Sequence, residues 1–449
     1  MGPKPIPLFG NFKDVILGKV HMADFIQDIY HQFASEPVVG LFASNIPILL
    51  VKDPEIIQEV LVKGFSNFSD RGFTHHGDVD SLSQHLLYMT VDKWKPMRQK
   101  LSPVFTSTKL KEMFYSISAC ADNFSAYTRN LVKKNEIVDC FTLTRKYAID
   151  VIGICAFGLE TKILSQEKTE FERVSEMIFE NSVKNTLKRL IRFCPNWIKK
   201  LTKPVITNHE VVNFFMSLIE KNIAFRNTNN LRRNDLVDIL MDIKNHPEKI
   251  GEKEATLALL TSQAYVFFAA GFDTTSSTIT HALYEVALNQ NIQNQLRTEI
   301  CTTIQKYSGN LNYDVIYHMK YLDQVLKETL RKYPPGYFTG RRAIDDYTFK
   351  RTKITVRRDI RVLVPIHAIH NDPNNYPEPD KFDPERFTEE AEKMRHPMTF
   401  LPFGAGPRYC IGKRFAFIST KIAIARIISR FKFETLKSPN AEIPKDRML

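Results

Sequence analysis

The chain has 449 residues, of which 43% are hydrophobic and 25% are charged, and it carries a formal net charge of +12. This is the composition of an ordinary globular protein, and because repeats, low-complexity tracts and Gly/Ser-rich linkers are missing, we expect residues 1–449 to form one large domain. The six cysteines lie far apart with no Cys-x-x-Cys pair, which argues against a disulfide framework or a zinc module and favours a reducing compartment.

The positive charge is compatible with three kinds of partner: nucleic acid, an anionic membrane surface or an acidic protein. The sequence contains no compact recognition motif for nucleic acid, so we expect no such partner. A basic surface that is merely solvated is the alternative.

The chain starts with a proline-rich stretch, Gly2-Pro3-Lys4-Pro5-Ile6-Pro7. Proline fixes its own backbone angle and restrains the residue before it, so this stretch is predicted to be a stiff, extended arm. No apolar run of about 18 residues accompanies it, and we expect no membrane-spanning helix here.

Most of the chain is predicted to be helical. Apolar residues recur at helical spacing in Met97–Lys134 and Ala148–Met177, and the longest candidate is Glu254–Gln290. The middle of this candidate, Ala264–Gly271, is apolar nearly all round, as in a helix buried in a large core.

Signals for β-strands are fewer and lie close together. Ile46–Val51 is one candidate, and Tyr347–Val364 alternates apolar and polar residues. Asn371–Phe387 is rich in proline, asparagine and aspartate and is predicted to be irregular. The expected fold class is therefore mainly α with a minor β part.

The sharpest local feature is the segment Phe403-Gly-Ala-Gly406-Pro-Arg408-Tyr-Cys410-Ile-Gly412. Glycines around a cysteine let the backbone pass close to a flat group. A predicted helix follows Gly412, so Cys410 lies near a helix N-terminus, where the thiolate is favoured and can bind iron. Arg408 can pair with an anionic group at the edge of a cofactor. A buried, inert cysteine is the alternative.

This segment resembles the haem-binding signature of the cytochrome P-450 family, Phe-x-x-Gly-x-Arg-x-Cys-x-Gly, at every specified position. The resemblance implies haem b held between a long distal helix and the proximal cysteine loop, with the Cys410 thiolate as axial ligand. Phe403, Gly406, Arg408 and Gly412 are then cofactor-binding residues.

A second element, Glu328-Thr-Leu-Arg331, resembles the Glu-x-x-Arg motif of the same family. Residues three apart share a helical face, and Arg386 in Pro384-Glu-Arg-Phe387 resembles the arginine that completes a structural network. An exposed pair of little energetic value is the alternative.

Ala270-Gly271-Phe272-Asp273-Thr274-Thr275 resembles the distal-helix motif. Gly271 lowers helix propensity and the Thr274 hydroxyl can compete for a carbonyl one turn back, so we expect a local groove with room for oxygen. The resemblance implies that Thr274 stabilises dioxygen and that Asp273 relays protons. A helix that tolerates a few hydroxyl residues is the alternative.

The resemblance also assigns haem and substrate contacts elsewhere. Trp94 and Arg98 match a Trp-x-x-x-Arg element that meets a haem propionate, and Arg341 or its neighbour Arg342 is another propionate ligand. The implied substrate pocket draws on the region around Phe73 to Leu87, on Val266, Ala269 and Ala270 of the longest predicted helix, and on Gly336 to Phe338. Ala270 is also an implied haem contact.

The likeness extends from Pro3 to about Phe433 and is strongest to insect microsomal members of family six. It implies an electron supply from an NADPH-cytochrome reductase, with cytochrome b5 as a further candidate partner. It also implies a monomer and peripheral contact with the cytosolic face of the endoplasmic reticulum membrane.

Residues 2–11 resemble the hinge that follows a membrane anchor, which we expect to be missing from this sequence. Lys413 and Arg414 are candidates for reductase docking. Residues 187–200 are either a membrane-interface segment or a solvated helical hairpin.

The expected function is monooxygenation of a lipophilic substrate, such as a plant toxin, an insecticide or an endogenous lipid. Two alternatives remain: an isomerase or dehydratase that rearranges hydroperoxides on the same fold, and a non-catalytic haem binder. The Asp273-Thr274 pair favours the monooxygenase, because the alternatives have less need of a proton relay.

Overall fold

The computed structural model describes residues 2–72, 80–134, 137–164, 168–179 and 207–436. Phe73 of the expected substrate pocket and the segment 187–200 lie outside the described residues. Helices dominate, and in chain order they are α1 (Lys13–Ile16), α2 (Met22–Gln32), α3 (Pro54–Gln58), α4 (Val91–Leu101), α5 (Ser107–Lys133), α6 (Cys140–Phe157), α7 (Glu170–Ile178), α8 (His209–Thr228), α9 (Leu236–Asn245), α10 (Leu257–Leu288), α11 (Gln290–Lys306), α12 (Tyr313–Tyr317), α13 (Lys320–Lys332), α14 (Ile366–His370), α15 (Glu389–Met394) and α16 (Lys413–Ile428).

The long apolar candidate is confirmed as the helix α10, which packs against α6, α8, α13 and α16. The Thr256 side chain caps its start by accepting a hydrogen bond from the Leu259 N–H, and the helix ends at Leu288. Residues on nearly all sides of α10 are buried, so burial rather than amphipathic character explains its apolar composition.

Two predicted helices are each divided in the structure. Met97–Lys134 is split by a 3₁₀ turn at Ser102–Phe105, where Pro103 lacks the N–H that a continuing α-helix requires. Ala148–Met177 is interrupted after Phe157 because Gly158, with a φ of 65°, ends α6 in the left-handed conformation.

The main sheet has four strands in the order β1 (Val38–Ala43), β2 (Ile46–Val51), β6 (Arg361–Val364) and β3 (Thr339–Arg342). β1 pairs antiparallel with β2, β2 parallel with β6, and β3 antiparallel with β6. A separate two-stranded sheet joins β4 (Tyr347–Thr348) and β5 (Thr355–Val356). Ile46–Val51 is confirmed, whereas β3 gave no strand signal because its one buried residue is an arginine, Arg341.

The proline-rich start has no regular secondary structure before Ile6, and its extended conformation stays a prediction. Ile6 and Gly10 form an antiparallel bridge that closes a turn, and the Asn11 N–H donates to the Phe42 carbonyl at 2.7 Å. The turn therefore packs on β1. None of the helices in the described ranges is long and apolar enough to span a bilayer.

The cysteine loop lies between the irregular segment 371–387, which is confirmed as turns and a 3₁₀ helix at Pro384–Phe387, and α16. α16 begins directly after Gly412, as predicted. A Cβ on Gly406, whose φ is 69°, would lie 1.8 Å from the Leu61 carbonyl oxygen, so only glycine fits where the loop crosses the π-helical turn Glu59–Lys63.

Candidate functional site

The loop around Cys410 presents an accessible sulfur on a fixed backbone. The Cys410 N–H donates to the Phe403 carbonyl at 2.9 Å, and Gly404 and Gly406 adopt positive φ values. The side chain of Cys410 is accessible. The surrounding protein nevertheless raises the pKa of the thiol by burial. The Gly412 N–H and the positive charges of Arg98, Arg71 and Lys413 lower this pKa in part. The loop thus combines access to the sulfur with groups that favour a thiolate.

Three guanidinium groups converge beside this loop, on Arg71, Arg341 and Arg408. Arg341 and Arg408 are each only 2% exposed, and burial lowers the pKa of both to about 9, with the positive charge of Arg71 lowering both further. Burial likewise lowers the pKa of Arg71 to about 10. All three therefore remain charged at neutral pH.

These arginines have unused donors. The Nε of Arg71, the Nε of Arg341 and the Nη1 of Arg408 are buried without a hydrogen-bond partner, and none of the three forms an ion pair within the described ranges. Buried cations without a counter-charge are costly. The cluster is suited to bind a ligand with two carboxylates, because each guanidinium can donate charge-assisted hydrogen bonds to one.

Arg71 was not expected among the site residues. Asp70 Oδ1 accepts from the Gly72 N–H at 2.7 Å, and this tight turn directs Arg71 toward the cysteine loop, where its Nη2 donates to the Arg408 carbonyl at 2.8 Å. The Asp-Arg-Gly triplet is visible in the sequence, but it carries no sign that the arginine is buried.

β3 distinguishes the neighbouring arginines that the sequence left undecided. Alternation along the strand places Arg341 in the cluster and turns Arg342 the other way. Arg342 pairs with Asp70 at 2.5 Å and with Asp359 at 3.4 Å.

Trp94 and Arg98 both face the cysteine loop, as the spacing of one helical turn predicts. The Arg408 guanidinium lies 4.0 Å from the centre of the Trp94 ring, a cation–π contact. Arg98 donates from Nη1 to the Tyr409 carbonyl at 2.8 Å.

The distal motif lies in the middle of α10 and presents two different rows of side chains. Val266, Ala270 and Thr274, four residues apart, form an at least partly accessible row, whereas Ala269 and Asp273 form a neighbouring buried row. Of the implied pocket residues, Val266 and Ala270 thus belong to the open row and Ala269 does not.

The Thr274 hydroxyl donates to the Ala270 carbonyl at 2.7 Å, the competition that the sequence predicts. α10 runs without interruption through this motif, and the local groove expected beside it stays a prediction. Gly271 permits close packing: a Cβ there would lie 2.8 Å from Cδ1 of Ile152 on α6.

Asp273 is the buried carboxyl of this region. Burial raises its pKa to about 6, and the positive charge of Arg145 on α6 partly offsets the rise. A carboxyl of this kind can both hold and release a proton near neutral pH.

The sequence as a whole matches the Cytochrome P-450 family model over residues 1–448. The chain belongs to the cytochrome P-450 family. Similar proteins include the probable cytochrome P-450 6a14 of Drosophila melanogaster, 37% identical over 98% of this chain and 89% of that protein. Others are cytochrome P-450 6k1 of Blattella germanica, 36% identical over 97% and 86%, and cytochrome P-450 6B2 of Helicoverpa armigera, 34% identical over 98% and 88%.

Membership of the family establishes the activity, and the likeness to insect family six is confirmed. This P-450 is a haem-thiolate monooxygenase that carries haem b on a cysteine thiolate and needs O2, a substrate and a redox partner.

The Glu-x-x-Arg element of this P-450 is buried and not a surface pair. Glu328 and Arg331 are both fully buried, and Arg331 Nε and Nη2 donate to the two Glu328 carboxylate oxygens at 2.7 and 2.9 Å. Arg331 also donates to the carbonyls of His370 and Pro379. Glu328 accepts from the Asp383 N–H at 3.0 Å and lies 3.5 Å from Arg386 Nε. The network therefore ties α13 to the segment that leads into the cysteine loop.

The remaining implied pocket residues occupy different surroundings. Gly336 is exposed. Phe338 packs against the cluster formed by α2 and one face of the main sheet, which includes Ile26 and Leu363. Contact of either residue with substrate stays a prediction.

Proposed function

We propose that this P-450 binds its haem through the Cys410 thiolate and through Arg71, Arg341 and Arg408, which take the two propionates, with Trp94 and Arg98 supporting them. The observation that carries this assignment is the set of buried, unpaired donors beside the cysteine loop. The haem supplies the activation of O2 from which one oxygen atom enters the substrate. Phe403, Gly406 and Gly412 shape the loop that would hold the haem.

The distal residues are proposed to bind and transfer a proton and to contact the substrate. Asp273 holds a proton at its carboxyl, which burial keeps titratable near neutral pH. The Thr274 hydroxyl donates to the Ala270 carbonyl, and its oxygen can still accept a hydrogen bond from a proton donor beside the open row. Val266 and Ala270 give this row an apolar surface, which suits a lipophilic substrate such as a plant toxin, an insecticide or an endogenous lipid.

The redox partner is proposed to be an NADPH-cytochrome reductase, with cytochrome b5 as a second donor. Lys413 and Arg414 are exposed at the start of α16, three and four residues after Cys410, and neither forms an ion pair within the described ranges. They line a groove with Phe417 and with charged residues of α13. A basic surface so close to the cysteine loop supports docking of an acidic partner by electrostatic steering.

Charge reversal tests this docking surface. Lys413→Glu is expected to lower the rate of haem reduction by reductase roughly tenfold at low salt, with a smaller difference at high salt, because exposed charges are screened. Lys353→Glu, a lysine in the β4–β5 turn, is the matched control. Equal reduction rates for Lys413→Glu and the parent protein would exclude this surface as the docking site.

Association with the cytosolic face of the endoplasmic reticulum membrane is proposed for the turn of residues 2–11. Leu8 is 85% exposed and Ile6 is 46% exposed, with Lys4 nearby. Exposed apolar side chains beside a cation favour an anionic membrane interface.

The activity itself is tested by reconstitution. With NADPH and reductase, the purified protein is expected to oxygenate a lipophilic probe such as lauric acid, and NADPH consumption should depend on the probe. Turnover of a lipid hydroperoxide without reductase, and no oxygenated product with it, would favour the rearranging enzyme. Intact haem with neither reaction would favour the haem binder.

A further inference from the structure

A buried histidine, His370, lies at the end of the short helix α14. Its Nε2 accepts a hydrogen bond from the Leu401 N–H at 2.8 Å. Leu401 begins the stretch that leads into the cysteine loop, nine residues before Cys410. An imidazole of α14 therefore contacts the backbone of the segment that carries the proposed iron ligand.

This hydrogen bond defines the protonation state of the imidazole. Nε2 accepts from an N–H, so it carries no proton, and the proton of the neutral ring lies on Nδ1. Burial, together with the positive charge of Arg331, lowers the pKa of His370 to about 3. The ring is therefore neutral at physiological pH, and its Nε2 lone pair is available to the Leu401 N–H.

The backbone of His370 is attached to the buried Glu-x-x-Arg network. Its carbonyl accepts from Arg331 Nη1 at 3.0 Å, and the same guanidinium is held by the carboxylate of Glu328. His370 thus contacts the network through its carbonyl and the start of the cysteine loop through its side chain.

Two backbone hydrogen bonds continue from Leu401 toward Cys410. The Gly404 N–H donates to the Leu401 carbonyl at 2.9 Å, which closes a tight turn, and the Cys410 N–H donates to the Phe403 carbonyl at 2.9 Å. Because Phe403 lies inside the turn that Leu401 begins, a displaced Leu401 backbone displaces Phe403 and the cysteine bonded to it.

Apolar packing holds the side chain of Leu401 but leaves its N–H to be satisfied. Leu401 is 2% exposed and belongs to the same hydrophobic cluster as Ala368 and Ile369 of α14. A buried N–H in such surroundings needs an acceptor from the protein. Without the imidazole of His370, this segment would have to move to find another one.

We propose that His370 is a positioning residue for Cys410: its Nε2 fixes the Leu401 backbone and, through it, the loop that carries the thiolate. The inference rests on the proposed function, because it takes Cys410 as the haem ligand. A substitution that keeps an acceptor at the position of Nε2 should preserve the loop, and one that removes the acceptor should loosen it.

Three substitutions separate the acceptor from the ring. His370→Leu removes the acceptor. His370→Gln places an amide oxygen near the position of Nε2, whereas the shorter amide of His370→Asn reaches only as far as Nδ1.

The chain offers a matched control in His281 of α10. It is also buried, and burial lowers its pKa to about 4, so it is likewise neutral. Its ring stacks on Tyr333, as the ring of His370 stacks on Phe400. His281 Nδ1 contacts the Ser277 carbonyl within α10, and within the described ranges His281 makes no hydrogen bond to the cysteine loop. His281→Leu therefore repeats the substitution without touching the loop.

The experiment follows two properties of the holoprotein: hydrogen exchange of peptides covering residues 401–412, and the lifetime of the thiolate-type band of the carbon monoxide complex. In His370→Leu the exchange should accelerate roughly tenfold, because a buried donor loses its partner. The band should also decay roughly tenfold faster, since a group that orients the ligand is lost. His370→Asn should resemble His370→Leu, whereas His370→Gln and His281→Leu should keep both properties within about threefold of the parent protein.

Unchanged exchange of residues 401–412 in His370→Leu would overturn the proposal, as would an equal acceleration in His281→Leu. If His370→Leu does not fold, His370→Gln and His370→Asn decide alone, and equal exchange in these two variants would also overturn the proposal. Failure of the proposed function is recognised separately: the parent protein would then lack the thiolate-type band, while the differences in exchange would persist.

Discussion

At the scale of single residues, the most informative feature of this P-450 is a set of charges that do not balance within the described ranges. Arg341 and Arg408 are buried next to each other and to Arg71, and each retains an unpaired donor. A protein that only needed stability would gain nothing from such a cluster. The arrangement is explained by a ligand that brings two negative charges.

β3 provides a direct test of this explanation. Arg341→Leu should weaken haem binding by roughly 10- to 100-fold, since a charge-assisted hydrogen bond contributes about 1.5–3 kcal/mol. Arg342→Leu, one residue along, removes a partly exposed cation that pairs with Asp70 and should leave haem affinity within about threefold. The measurement is haem transfer to an apo-globin acceptor, and equal effects of the two substitutions would contradict the assignment.

Asp273 leads to a prediction about pH. An aspartate in an unfolded chain titrates near pH 3.9, whereas burial raises the pKa of Asp273 to about 6 in the folded protein. The folded state therefore binds this proton more tightly, and the free energy of unfolding falls as the pH rises from about 4 to about 6 and stays reduced above it.

Asp273→Asn removes this cost of burying a charge. We expect it to raise the free energy of unfolding at pH 8 by about 1–3 kcal/mol, with a smaller gain at pH 5, while it slows monooxygenation and increases the NADPH consumed per product. Thermal unfolding at both pH values, together with product yield, checks this. A variant that is destabilised more at pH 8 than at pH 5 would contradict it.

The types of residue that form the site could be predicted from the sequence, but their burial could not. Cys410, Trp94 and Arg98 were expected at the cysteine loop, and they meet there, because each lies in a short motif with fixed local spacing. Arg71 was missed and Arg341 could not be separated from Arg342, since both depend on pairing between distant segments: Asp70 bridges to Arg342, and β3 pairs with β6.

At the scale of elements, the contact between α6 and α10 shows that tertiary packing can outweigh the low helix propensity of a glycine. Gly271 was expected to weaken the helix locally, but α10 continues through it. A Cβ at Gly271 would lie 2.8 Å from Cδ1 of Ile152 on α6, so any larger residue there requires the Ile152 side chain to shift. Both residues are visible in the sequence, but their contact in the folded protein cannot be predicted from it.

A double-mutant cycle separates the two roles of Gly271. Gly271→Ala should lower the free energy of unfolding by about 1 kcal/mol in the parent protein, as overpacking of about 1–3 kcal/mol outweighs a gain of about 1 kcal/mol in helix propensity. In an Ile152→Ala background the same substitution should instead stabilise by about 1 kcal/mol. Equal effects of Gly271→Ala in both backgrounds, measured by urea unfolding, would rule out the packing role.

At the scale of the whole molecule, the fold class was predictable and the arrangement of layers was not. Helical periodicity and a few β-branched runs gave the mainly α class, and Pro103 and Gly158 explain where predicted helices divide. The four-stranded sheet joins residues more than 300 positions apart, as in Ile48 paired with Arg361. Such pairings follow from the tertiary fold and leave little local signal.

The network of Glu328, Arg331 and Arg386 connects these scales. Two buried charges contact each other within α13, and their remaining hydrogen bonds reach the irregular segment before the cysteine loop. The network reaches the segment before the cysteine loop without touching the sulfur, and we expect it to contribute to the position of Cys410 through that segment.

The central claim is that Cys410 holds the haem iron, and the carbon monoxide difference spectrum of the reduced protein tests it most directly. The parent protein and Cys301→Ser, which changes an exposed cysteine of α11, should both give the thiolate-type band. Cys410→Ser should lose that band completely. A Cys410→Ser protein that keeps the thiolate-type band would contradict the account.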